Sequence, residues 1–309
     1  MIHPERIQSL NRTGVRRGAF VLYWMQASQR AECNHALEYA VARANELNQP
    51  VVALFALMED YPEANERHYA FMLEGLAETQ SRLSERGVQL VVRRGPPADT
   101  ALEAAVEASL VVVDRGYLRH QRAWRRQLAL KAPARTGRAA YLEELLVRRE
   151  LSMNFVFHNE RYDSYPCLPM WARTTLKDRS GDRRPYLYSR QELEACGTHD
   201  PYWNAAMREM VVTGKMHNYM RMYWGKKIIE WAPSPQAAFR VMLELNNKYF
   251  LDARDPVSYA NVAWCFGLHD RPWGRRPIFG TVRYMGAAGL ERKFHVDEYV
   301  RRTASLSEA

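Results

Sequence analysis

Four strand-length apolar runs alternate with helical segments through the first 115 residues, and this alternation limits the fold more than any other feature of the chain. Residues 19–24 (Ala-Phe-Val-Leu-Tyr-Trp) are the first run. Behind them, from Ser28 to Leu47, apolar Ala36, Leu37, Ala40, Val41, Ala44 and Leu47 recur at helical spacing. Pro50 precedes a second run at 51–57, and a helix from Tyr69 to Glu85 is stopped by Gly87. Residues 88–92 read as a third strand, Asp99 as the cap of a helix reaching Ala108, and residues 110–114 as a fourth strand. Short continuous apolar strands separated by helices predict a parallel, doubly wound sheet covered on both faces. Such sheets bind ligands beyond the carboxyl ends of their strands. The turn after the first strand, Trp24-Met-Gln-Ala-Ser-Gln-Arg, has no GxGxxG, and Gly95-Pro-Pro lacks the Lys-Ser/Thr of a phosphate loop. Dinucleotide binding of the usual dehydrogenase kind and P-loop chemistry therefore have no support in these motifs.

From Tyr141 onward the spacing turns helical. Helices are expected at 141–157, 189–195, 201–213, 216–231 and 235–245, with Pro-, Gly- and Arg-rich connections between them. Residues 264–284 are rich in aromatics and arginines with little periodicity, which suggests a long ordered loop with a short helix. A chain of 309 residues is long enough for two domains. The division expected is an α/β domain at 1–130, a linker at 131–140 and a helical domain at 141–309.

The charge is uneven. Residues 1–130 carry 16 basic and 15 acidic side chains, whereas residues 131–309 carry 28 and 20. Six of the eight tryptophans, Trp171, Trp203, Trp224, Trp231, Trp264 and Trp273, lie in the basic half. Basic charge interleaved with aromatic planes suits a polyanion with stackable bases, or a planar cofactor. Cys33, Cys167, Cys196 and Cys265 form no CxxC pair and the nine histidines no HExxH, so neither a structural metal nor a disulfide framework is expected. No apolar run approaches the roughly 18–20 residues of a membrane span, and the first residues lack a secretory signal, which predicts a soluble cytoplasmic protein. Trp224 and Trp231 stand seven apart on one predicted helix, sharing a face about 10 Å apart. For the pair by itself core packing is the first reading. A spaced run of tryptophans, which Trp203 on the preceding helix would extend, can also hand electrons to the surface, and periodicity alone does not establish that.

Five stretches, in order, resemble the class II cyclobutane pyrimidine dimer photolyases, of the photolyase/cryptochrome family. They are Glu143-Glu-Leu-Leu-Val-Arg-Arg-Glu-Leu-Ser-Met-Asn-Phe, Thr198-His-Asp-Pro-Tyr-Trp-Asn-Ala-Ala and Thr213-Gly-Lys-Met-His-Asn-Tyr-Met-Arg-Met-Tyr-Trp-Gly-Lys-Lys-Ile-Ile-Glu-Trp, then Leu245-Asn-Asn-Lys-Tyr-Phe-Leu-Asp-Ala-Arg-Asp-Pro and His269-Asp-Arg-Pro-Trp-Gly-Arg-Arg-Pro-Ile-Phe-Gly. Arg283-Tyr-Met and Arg292-Lys-Phe close the match, and residues 18–130 are similar, more loosely, to the family's antenna domain.

The resemblance implies an antenna-type α/β domain followed by a shortened all-helical domain of the FAD-binding type. It also implies light-driven repair of pyrimidine dimers, an electron passing from reduced FAD to a flipped-out lesion. The implied partner is UV-damaged DNA. No membrane or protein partner is implied, and the antenna chromophore is left open. By resemblance Asn246 faces the flavin N5, Arg221 and Asp252 are the ion pair beside the ring, and Trp203, Trp224 and Trp231 are the chain that photoreduces it. Glu144 resembles the carboxyl group on the dimer bases, and Tyr188, Met222, Trp264, Arg271 and Trp273 resemble lesion-pocket and DNA contacts.

One departure is large. Family members continue after the fourth strand through another strand, a long linker and helices bearing a Thr-Ser-x-Leu-Ser-Pro-like motif for the FAD phosphates. Here Lys131-Ala-Pro-Ala-Arg-Thr-Gly-Arg joins directly to Ala139-Ala-Tyr-Leu-Glu-Glu, and one family glycine is missing before His269. Weaker FAD binding and impaired activity are expected in consequence, since each lost charge-assisted bond to phosphate costs about 1.5–3 kcal/mol. A non-catalytic DNA-binding relic and a cryptochrome-like flavin photosensor are the alternative readings.

Overall fold

The computed structural model describes residues 7–11, 13–132, 135–139, 148–293 and 295–306. The chain divides into two compact units, Met1–Arg149 and Glu150–Ala309.

The first unit is built on a six-stranded sheet with strands β1 (Ile7–Ser9), β2 (Phe20–Trp24), β3 (Val51–Leu57), β4 (Gln89–Arg94), β5 (Ala108–Val113) and β6 (Arg135–Ala139). Their spatial order is β1-β6-β5-β2-β3-β4. All neighbours are parallel except β1, which runs antiparallel to β6. Helices α1 (His35–Leu47), α2 (Glu66–Glu85), α3 (Pro97–Ala105) and α4 (Arg119–Lys131) complete the unit. Side chains alternate across each strand. Val21, Tyr23, Phe55 and Val112 therefore join one core with α1 and α2, while Leu22, Trp24, Leu54, Val111 and Val113 join a second with α3 and Leu128 of α4. Strand β5 is buried along its whole length.

The expected α/β architecture is present, with local corrections. Helix α1 begins at His35 rather than Ser28, because the Asn34 side chain accepts the Leu37 N–H and caps the helix there. Asp99 does not cap α3, which starts on Pro97; it lies in the first turn and accepts a bond from Gln127. Part of the expected linker is a strand, since Arg135–Ala139 pairs with β5 and β1. Its Arg-Thr-Gly-Arg-Ala sequence has no apolar run, so only backbone pairing marks it.

The second unit is helical: α5 (Arg148–His158), α6 (Met170–Asp178), α7 (Arg190–Glu194), α8 (Pro201–Thr213), α9 (Asn218–Trp231), α10 (Pro235–Tyr249), α11 (Pro256–Cys265), α12 (Ala287–Glu291) and α13 (Val296–Ala304). Helix α8 has the bounds its sequence predicts, and α10 runs four residues past Leu245 to Tyr249. Helix α11 escapes the period test because it is buried nearly all round and so has no polar stripe. The loop expected at 264–284 is real beyond Cys265, although Trp264 belongs to α11. The start of the helix expected at 141, and Glu144 with it, lies outside the described residues. No described helix is long and apolar enough to cross a membrane. Among the described residues no group of three His, Cys, Asp or Glu could hold a metal ion, and all four cysteines are free.

At the carboxyl end of β5, Asp114 accepts bonds from the Ser28 N–H (2.9 Å), the Tyr23 hydroxyl (3.0 Å) and the Ala27 N–H (3.2 Å), tying the β2–α1 loop to the sheet. Burial outweighs these bonds and raises its pKa to about 6. A carboxyl group whose folded pKa lies above its unfolded value stabilises most when protonated. Its contribution is therefore complete below about pH 4 and is lost as pH rises through 6. Relative to Asp114→Asn, the native chain should lose about 1–2 kcal/mol of stability between pH 4.5 and 7.5, a figure reduced because the side chain keeps some solvent contact. Urea unfolding of both proteins across that range checks this.

Candidate functional site

Helix α9 lies at the centre of the second unit. Met220 and the continuous stretch Tyr223–Ile229 are buried, as is Trp231, so the helix has hardly any solvent face beyond its first turn. Gly225 permits this. A Cβ there would stand 2.6 Å from the Cys265 sulfur, so any other residue would push α11 away. Two lysines follow in the buried stretch. The Lys226 ammonium donates to the carbonyl of Cys265, the last residue of α11, where the helix carries partial negative charge. Burial lowers its pKa to about 8. Lys227 pairs with Glu230 at 2.8 Å.

Toward its N-terminal end α9 presents Arg221. The guanidinium makes a two-pronged pair with Asp252 (2.8 and 3.1 Å), donates to the Asn246 carbonyl oxygen (2.9 Å) and lies 3.6 Å over the Phe250 ring. Asn246 is 1% exposed, and its amide donates to Asn247 (3.0 Å) and the Ser258 hydroxyl (2.9 Å). Its side chain thus makes three of the four hydrogen bonds it can form, one of them with Arg221. The structure thus brings Arg221, Asp252 and Asn246 together as the sequence suggests, and adds Phe250 and Ser258. Both lie within or just past a quoted motif, but neither carries a signal of its own.

The three tryptophans also meet. Trp203 of α8 donates its indole N–H to the Trp224 carbonyl (3.0 Å), and its ring stands 5.6 Å from Trp231, edge to face. All three are buried. Asp200 fixes the start of α8 by accepting from the Tyr202 and Trp203 amides, and it also receives the Tyr223 hydroxyl from α9. That hydroxyl's pKa is pushed far up by burial and by the adjacent carboxylate. Trp224 stands 6.3 Å from Phe250, edge to face, and its indole N–H is buried without a partner among the described residues. Tyr188 sits at the opposite end of the row, 5.3 Å from Trp231. His199, which sequence reasoning left unassigned within its motif, packs beside both.

The remaining described candidates make contacts of their own. Met222 places its sulfur 3.8 Å from that of Cys265, and Trp264 meets His269 edge to face at 6.4 Å. Trp273 is 43% exposed. Asp270 accepts its indole N–H (3.2 Å) and the Arg271 backbone N–H (2.8 Å), and the guanidiniums of Arg271 and Arg283 lie 5.7 and 5.1 Å from its ring. Gly267, at φ +109°, lets this loop leave α11 against Trp171.

The DNA photolyase family model matches residues 21–146. The deoxyribodipyrimidine photo-lyase of Methanothermobacter thermautotrophicus is 38% identical over an alignment of 444 positions that takes in the whole of both chains. That alignment exceeds this chain's 309 residues, so the relative carries sequence without counterpart here. The rice protein of the same name is 50% identical over 173 residues, 55% of this chain but 34% of its own length. Among solved structures, an archaeal photolyase from Sulfolobus tokodaii with two FAD molecules superimposes with a TM-score of 0.64 at 13% identity, covering 91% of this chain and 89% of that one. A class III photolyase from Agrobacterium tumefaciens does so with a TM-score of 0.62 at 15% identity, covering 93% and 87%. At those identities the superpositions speak for the fold.

The residues present fit the ring end of a flavin. A half-buried cation held by three bonds and an orphaned, buried indole N–H one helical turn further along α9 are donors suited to a planar ring with polar edges.

Because Asn246 satisfies three neighbours at once, Asn246→Leu should leave Arg221, Asn247 and Ser258 short of partners. A loss of about 2–4 kcal/mol is expected, read from denaturant midpoints.

Proposed function

The chain belongs to the DNA photolyase family, and from that premise we propose that it is an enzyme of the class II type that reverses cyclobutane pyrimidine dimers in DNA under light, using FAD. The carrying observation is the convergence on one buried helix of a fixed guanidinium, Arg221, and a tryptophan row that begins one turn away.

A bound, reduced flavin would supply the excited electron for ring opening. Arg221, clamped by Asp252 and Asn246, sets a fixed positive charge beside the ring, which favours negative charge there without reorganisation. Asp252 keeps that guanidinium oriented, and Asn246 holds it from the buried side. Trp224, Trp203 and Trp231 lead from the ring outward, and their burial keeps them at fixed separation. Met222 and Trp264 supply apolar and aromatic surface for a lesion extruded from the stack, the damaged step being cheaper to open than an intact one. Arg271 and Arg283 attract phosphate, and Trp273 offers an exposed plane to an unpaired base. Glu144 is assigned to the dimer bases by its motif alone. The basic half as a whole draws the chain to DNA.

The deciding experiment loads the purified chain with FAD, reduces it, and follows dimer reversal in an oligonucleotide carrying a single lesion, in near-UV light and in darkness. Light-dependent restoration of intact pyrimidines is expected. Trp224→Phe should block photoreduction of oxidised FAD while leaving repair by chemically reduced protein intact. A chain that takes up no flavin and binds damaged and undamaged duplex equally would instead be a non-catalytic DNA-binding protein. Flavin photoreduction without repair would make it a photosensor of the cryptochrome kind.

For the DNA contacts, the double change Arg271→Ala and Arg283→Ala should flatten the plot of log affinity against log salt by about 2 units of slope. Trp273→Ala should weaken binding by about 1–3 kcal/mol while leaving that slope unchanged. Fluorescence anisotropy between 50 and 200 mM salt, a range chosen from the general behaviour of such complexes, separates the two effects.

A further inference from the structure

The outer end of the tryptophan row carries a hydrogen bond that packing alone does not require. The Tyr188 hydroxyl lies 2.7 Å from Nδ1 of His199, and the same oxygen accepts the backbone N–H of His199 at 3.0 Å. An imidazole that carries its proton on Nε2 offers Nδ1 as the acceptor of the phenolic proton along this bond. The rings form a closed cluster. Tyr188 and His199 each meet Trp231 edge to face at 5.3 Å, and the exposed Tyr186 stacks on His199 at 3.6 Å and 19°. Trp231 is 1% exposed whereas His199 is open to solvent, so the cluster spans from the core to the surface.

We propose that His199 is the base that takes the phenolic proton of Tyr188 when Trp231 is oxidised, making the end of the row a proton-coupled trap for the positive charge. This rests on the tryptophan row acting as a redox relay, as proposed above. The step balances within the protein. One electron passes from Tyr188 to the Trp231 radical cation, the Tyr188 O–H bond breaks, and its proton moves to Nδ1 of His199. The products are neutral Trp231, a neutral Tyr188 phenoxyl radical and a His199 imidazolium that exchanges its proton with water. The oxidant upstream is a photo-excited oxidised flavin or, in the test below, a ruthenium(III) complex.

Two features favour the step. Moving the proton with the electron avoids a charged phenol radical in a half-buried position. The Lys227 ammonium stands 5.7 Å from the Trp231 ring, only partly offset by Glu230, and so disfavours positive charge remaining on that tryptophan.

The test uses the full chain without cofactor, oxidised by laser flash and quench of a ruthenium polypyridyl complex. The readout is the tyrosyl radical followed by absorption and electron paramagnetic resonance, taken as the difference between the native chain and Tyr188→Phe so that other tyrosines cancel. His199→Phe keeps a flat ring against Tyr186 and Trp231 but removes the acceptor. It should cut this signal roughly tenfold or more and prolong the indole radical. His199→Ala should show the same loss, and imidazole added to the solution should restore it. The native step should slow in heavy water, and the His199→Phe residual should not share that slowing. Unchanged tyrosyl formation in His199→Phe, or a loss in His199→Ala that imidazole does not repair, would overturn the proposal. Because the oxidant enters from solution, a chain that binds no flavin can still pass or fail this test, so the two readings fall separately.

Discussion

The burial of helix α9 is the constraint on which the rest of the second unit depends. A helix enclosed on nearly every side must satisfy its polar groups inside the protein, since a buried unpaired charge costs several kcal/mol. Lys227 finds its partner within α9, in Glu230, and three other groups each reach a different element. Tyr223 reaches Asp200 at the start of α8, Arg221 reaches Asn246 on α10 and Asp252 just beyond it, and Lys226 reaches the end of α11. Those bonds fix the surrounding helices in register with α9.

One helix therefore presents two kinds of chemistry without either being free to drift. Its N-terminal part carries a cation whose direction is set by a two-pronged carboxylate and a buried amide. Its C-terminal part carries Trp224 and Trp231, and Trp231 meets both Trp203 of α8 and Tyr188 edge to face, an arrangement favoured by aromatic quadrupoles. The exposed loop after α11 is organised differently. There one carboxylate, Asp270, holds both the Trp273 indole and the Arg271 amide, and of the two arginines around the tryptophan Arg271 is exposed and Arg283 half-buried.

In the first unit the sheet extends beyond β5 by two short strands. Strand β6 follows α4 after a few residues and takes up the edge of β5, and β1 then covers β6 in antiparallel fashion. The antiparallel partner leaves β6 with hydrogen bonds on both sides, which an exposed edge would lack.

How much of this was legible beforehand followed from which physical signal each element sends. The buried strands β2, β3 and β5 announce themselves because a sheet covered on both faces needs unbroken apolar runs. Helix α8 announces itself by Asp-Pro at its start and Gly214 at its end. Strand β6 and helix α11 do not. The first is held by backbone pairing with a polar sequence, and the second is buried too completely to show a period. The order of the motifs, and the residue types at Arg221, Asp252, Asn246 and the three tryptophans, belong to the sequence by itself. Only the tertiary structure decided that Asn246 joins Arg221, Asn247 and Ser258, that Tyr188 stands at the end of the tryptophan row, and that its hydroxyl meets His199. Those facts depend on distances between residues far apart in the chain, and these are set by how helices pack rather than by any local preference.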